Sequence, residues 1–72
     1  MSGLAKKLSQ RLRDLRTSKG WTQEHAARMC GMEYKYYQRY EGVKPRDMRL
    51  TTVEKIAKGF DIPAWKLIKF ED

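Results

Sequence analysis

Two short segments that read as helices, Gln23 to Cys30 and Tyr34 to Glu41, are separated by Gly31, Met32 and Glu33 alone. So short a connection leaves no room for a crossover, and the second helix must turn sharply and pack on the first. Ala26, Ala27 and Cys30 lie on one face of the first segment, and their small size lets a neighbouring helix approach closely. Thr22 offers a side-chain oxygen to the free amides at its start, with Gln23 and Glu24 in the first turn. Gly31 stops it, and Gly42 closes the second segment.

The flanking chain supplies what such a pair needs to pack against. Leu4, Leu8, Leu12 and Leu15 follow an amphipathic helical spacing, predicting a first helix from Leu4 to Ser18 that ends at Lys19-Gly20. Residues Val43 to Leu50 hold a proline and four charges without a sustained period, and read as a loop. Thr51-Thr52-Val53-Glu54 has the form of a capping box, placing a fourth helix near Thr51 to Gly59, with Val53, Ile56, Ala57 and Phe60 as its buried stripe. Ile62-Pro63 marks another start, and a fifth helix from Ala64 to Ile68 is expected to turn Trp65 and either Ile68 or Leu67 inward. There is no strand pattern and no internal repeat. The expectation is an all-α chain, with its 72 residues forming one domain.

Sixteen Lys and Arg against nine Asp and Glu give a formal charge of +7, a strong field for so small a surface and one suited to a polyanionic partner. No run approaches the roughly 18 apolar residues that span a bilayer, and no apolar signal stretch follows the first basic residues, so a cytoplasmic chain is expected, without a membrane partner. Cys30 is the single cysteine, which excludes an internal disulfide and a cysteine-based zinc site. His25 and Cys30 stand roughly 140° apart around a helix, too far to pair for catalysis. No metal cluster or phosphate-cradling glycine loop is present. The reading is a non-enzyme with no cofactor and no evident small-molecule effector.

In order and spacing, Thr22-Gln23, Ala26-Ala27, Gly31, Tyr37, Glu41 and Ala57 resemble the lambda-repressor-like helix-turn-helix family of phage repressor and Cro proteins and small bacterial regulators. The resemblance runs from Leu8 to Ile68. It implies a compact five-helix bundle whose third helix enters the DNA major groove, a transcriptional regulator, and a two-fold homodimer on a palindromic duplex operator. It also implies a buried ion pair between Arg16 and Glu41, which brings a cation to a carboxylate otherwise misplaced at a helix C-terminus.

Within that frame, helical spacing divides the crowded tyrosines. Tyr37 and Tyr40 go to the core with their hydroxyls expected at the rim; the family has branched apolar residues at both positions. Glu33, Tyr34, Lys35, Gln38 and Arg39 form the outward set, with Tyr36 at its flank. Lys35 and Arg39, at i and i+4, suit guanine O6 and N7, and are the principal base-reading candidates. Tyr34 and Tyr36 each suit a thymine methyl or a phosphate, with Tyr34 taken as the base reader and Tyr36 as the phosphate contact. Glu33 is either an acceptor for cytosine N4 or the helix N-cap, and Gln38 either a base-edge contact or a solvated side chain. Thr22 and Gln23, the latter either on a phosphate and bracing the front of the third helix or simply a polar first-turn residue, join Lys44, Arg46 and Arg49 of the following loop as phosphate-binding candidates. That loop is longer than the family's, with its proline earlier. Lys6, Lys7, Arg11 and Arg13 read as a solvated charge run, with a flanking phosphate as the alternative for its far N-terminus. Trp65, Ile68 and Phe70 either close the core or form a dimer seam. Two other readings keep the same residues in play: a protein-interaction or antitoxin-like adaptor, and an RNA-binding module.

Overall fold

The computed structural model describes residues 3–42 and 48–70, which form five helices: α1 (Gly3–Ser18), α2 (Gln23–Met29), α3 (Tyr34–Glu41), α4 (Leu50–Gly59) and α5 (Ala64–Ile68). α2 packs on α3, α1 lies against α3 and α5, and α4 packs on α5. Lys44 and Arg46 fall outside the described residues. Among the described residues no strand occurs, and no helix is long and apolar enough to cross a membrane.

Three of the helices end in the same way. The amides of Trp21, Met32 and Ile62 donate to the carbonyls of Arg16, Ala27 and Ala57 at 3.1, 3.0 and 3.0 Å, each reaching back over a residue in the left-handed region. These bonds satisfy carbonyls that the helix itself leaves free. Gly20 (φ +70°) and Gly31 (φ +68°) fill that position in the first two, where a side chain would be strained; Asp61 (φ 59°) fills it in the third, a conformation aspartate tolerates better than most residues. Because each reversal is tight, α2 and α3 meet at once and α5 folds back beneath α4.

The core is built from Leu8 and Leu12 of α1, Ala26, Ala27 and Cys30 of the α2 segment, Tyr37 of α3, Val53, Ile56, Ala57 and Phe60 of the α4 segment, and Leu67 of α5. Leu15 packs against it in part, whereas Leu4 in the first turn stays exposed. Trp21 stacks on Phe60, with ring centroids 5.3 Å apart, and carries the α1–α2 turn onto the end of α4. Gly59 passes close to the end of α2: a Cβ there would stand 2.7 Å from Cys30 Sγ and 2.8 Å from the Met29 carbonyl oxygen.

Two expectations are corrected. α4 has no capping box: Arg49 holds the N-cap position without a side-chain bond, and Thr51 already lies within the helix. The helix instead begins at Leu50, which is 78% exposed, and its buried stripe starts only at Val53. In α5 it is Leu67 that is buried, while Trp65 and Ile68 are 59% and 44% exposed. A helix of this length offers α1 and α4 only one inward position.

Candidate nucleic-acid interface

α3 is fixed by one residue at its end. Glu41 is 3% exposed, and its carboxylate accepts from three other residues. Arg16 of α1 donates through Nε to Oε2 at 2.8 Å and through Nη2 to Oε1 at 3.1 Å, a bidentate ion pair. Gln23 of α2 donates through Nε2 to Oε1 at 3.0 Å, and the Tyr37 hydroxyl donates to Oε2 at 2.5 Å. Arg13 of α1 adds a bond of 2.5 Å to the Glu41 carbonyl oxygen, bringing a cation to the negative end of the helix. Burial alone would raise the Glu41 carboxyl, but the bonds from Arg16, Tyr37 and Gln23 outweigh it and hold the group below the usual carboxylate range. Burial and the bond to Glu41 push the Tyr37 hydroxyl far upward, so it remains a donor.

Three expected placements change here. The Tyr37 hydroxyl is not at the rim; the whole residue is 0% exposed, and its oxygen satisfies the buried acid. Gln23 braces the end of α3 rather than its front, because Glu41 is the acceptor within reach. Arg11 and Arg13 are not simply solvated. Arg11 donates to the carbonyls of Lys66 and Lys69 at 2.6 Å each and lies 4.8 Å from the Phe70 ring centroid, clamping the end of α5 to α1. Phe70 therefore packs against the core instead of lying fully open. Sequence reasoning missed these arginine contacts. The spacing of Arg13 and Arg16, three residues apart on one face of α1, was the available signal.

With Tyr37 and Glu41 buried and Tyr40 half-buried, helical geometry leaves the opposite side of α3 open. Lys35, Gln38 and Arg39 are exposed, and Tyr34 and Tyr36 are each 42% exposed. Gln38 Nε2 donates to the Tyr34 hydroxyl at 3.2 Å, so neither is simply solvated. Lys35 Nζ and Arg39 Cζ lie 5.3 and 5.5 Å from the centroid of the Tyr36 ring. Glu33 occupies the α3 N-cap position, exposed and with no side-chain cap bond. Thr22 caps α2, its hydroxyl oxygen accepting from the His25 amide at 3.1 Å. Thr22 and Gln23 thus stand at the start of α2, and Arg49, exposed, at the start of α4. Cys30 is buried, and burial raises its thiol to about 11, in keeping with a packing role.

Two short helices, α2 and α3, joined by a tight turn at Gly31 and packed across one another have the helix-turn-helix arrangement. The family model described as a helix-turn-helix domain matches residues 7–64, and the chain belongs to that family. It is 34% identical over 61 residues to a Neisseria hypothetical transcription factor from Neisseria meningitidis serogroup B, covering 85% of this chain and 57% of that protein. The chain thus spans little more than half the length of that curated relative. The crystal structure of the hypothetical transcription factor NHTF from Neisseria superposes with a TM-score of 0.84 at 32% identity, over 94% of this chain and 77% of that one. The restriction-modification controller protein C.AhdI from Aeromonas hydrophila superposes with a TM-score of 0.79 at 36% identity, over 88% of this chain and 94% of that one.

Proposed function

We propose that the chain is a sequence-specific transcriptional regulator that lays α3 in the major groove of duplex DNA as one half of a two-fold dimer. The observation that carries this reading is the two-sided build of α3: a clamped, buried inner face and an outer face of Lys35, Gln38, Arg39, Tyr34 and Tyr36. Lys35 and Arg39 donate to guanine edges; Tyr34 and Gln38, already joined to each other, meet a neighbouring base. Glu33 accepts from cytosine N4 at the front of the helix. Thr22, Gln23, Tyr36 and Arg49 face phosphates, together with Lys44 and Arg46 of the loop. The second hydrogen of the Gln23 amide remains available for that contact while the first serves Glu41.

The size of the chain supports the dimer. The chain measures 29 Å along its longest axis and carries one such helix, whereas successive major grooves lie about 34 Å apart. Trp65 and Ile68, turned outward on α5, supply an apolar seam, with Phe70 at its edge. The site of action is the cytoplasm, on DNA. Competition tests the nucleic-acid class: duplex DNA is expected to displace a labelled duplex at physiological salt far more readily than single-stranded RNA does. More effective displacement by the RNA would overturn the major-groove reading.

A further inference from the structure

Resting on that reading of α3, we infer that Tyr36 is a positioning residue whose ring holds the two base-reading cations, Lys35 and Arg39, in a shared arrangement before DNA arrives. Lys35 Nζ lies 5.3 Å and Arg39 Cζ 5.5 Å from the same ring centroid, both within the range at which the face of an aromatic ring attracts a cation. The ring is 42% exposed and sits on the outer side of the helix, so it is not held there as part of the core.

The contrast with α1 gives the arrangement its meaning. Arg11, Arg13 and Arg16 spend their N–H groups on carbonyls and a carboxylate of neighbouring helices. Lys35 and Arg39 have no carboxylate partner among the described residues. A ring face attracts a cation through its quadrupole and takes up none of the N–H groups that a guanine edge needs, whereas a carboxylate would occupy them. Lys and Arg otherwise lose much rotamer freedom on binding, so confining both beforehand lowers the cost of ordering them. Sharing one ring also couples them: a change at either alters the surroundings of the other. Tyr36 thus acts through its ring, and its hydroxyl is dispensable for discrimination.

Two variants separate ring from hydroxyl: Tyr36→Phe keeps the platform and Tyr36→Leu removes it, with circular dichroism checking the fold. In the free native protein, the Lys35 ε-methylene and Arg39 δ-methylene protons are expected to show upfield ring-current displacement in NMR spectra. The displacement should persist in Tyr36→Phe and vanish in Tyr36→Leu. On duplexes, the ratio of affinity for the preferred site over a scrambled one should fall about five-fold in Tyr36→Leu, whereas in Tyr36→Phe, which loses the phosphate donor, both affinities should weaken together and leave the ratio near the native value. Undisplaced methylene protons in the native protein, unaltered discrimination in Tyr36→Leu, or an equal loss in Tyr36→Phe would overturn the inference. If the native chain shows the ring-current displacement but no duplex preference, the cradle stands and the DNA-reading role fails, which separates the two claims.

Discussion

Glu41 is where the sequence of three helices converges on a single carboxylate, and the consequences can be measured. Tyr37→Phe leaves the ring in the core but removes one donor from a buried charge, so the unfolding free energy should drop by ~1.5 to 3 kcal/mol in urea titration with the fold retained. The pH dependence has a fixed sign. Because the folded Glu41 carboxyl lies below its ordinary value, its contribution is complete above the unfolded pKa of about 4.3 and is lost as pH falls through the folded value. Tyr37 acts at the other limb: its folded pKa is raised, so its contribution is whole below about pH 10 and is lost above that as the unfolded phenol ionises. Thermal midpoints should therefore decline in acid and in strong base, with the acid limb shallower in Glu41→Gln. The ion pair of Arg16 with Glu41 was legible from the family resemblance. The inward turn of the Tyr37 hydroxyl was not, because it depends on Glu41 lying one helical turn away with its carboxylate already aimed back by Arg16.

At the level of elements, the ends of α1 and α2 could be read from Gly20 and Gly31, since glycine is strongly favoured at the left-handed position where a helix stops and reverses. The start of α4 fell one residue from Thr51, where it was expected, but the cap did not: Arg49 holds the N-cap position without a side-chain bond. Gly59 carries a second lesson. It reads as a helix terminator, yet its structural role is the close passage against Cys30, which no local pattern reveals. Gly59→Ala should improve helix propensity in isolation and still destabilise the protein by ~1 to 3 kcal/mol, measured by thermal or urea unfolding, because the contact is with backbone as well as with Sγ. In α5, Trp65→Lys alters a residue 59% exposed, so the helical signal should persist. In the proposed dimer the same change should reduce the sedimenting mass toward that of one chain and weaken binding to a two-half-site duplex.

For the whole molecule, the charge of +7 was legible at once but carried no direction. The fold supplies the direction by committing Arg11, Arg13 and Arg16 to internal carbonyls and a carboxylate while leaving Lys35 and Arg39 on the open side of α3. The cations proposed to bind phosphates should therefore behave differently from those proposed to read bases. Lys44→Ala or Arg49→Ala is expected to weaken all duplexes alike and reduce the log-log salt slope by about 1, whereas Lys35→Ala or Arg39→Ala should relax preference at particular positions by ~1 to 3 kcal/mol. The most direct measurement is selection of bound sites from random duplexes by the native chain, followed by the same selection with Arg39→Ala. Reading by α3 as a two-fold pair should yield a palindromic pair of half-sites centred one helical turn apart, with a guanine preference that Arg39→Ala relaxes at matching positions in both halves. Recovery of sequences with no common half-site, or of a preference unchanged in Arg39→Ala, would contradict it.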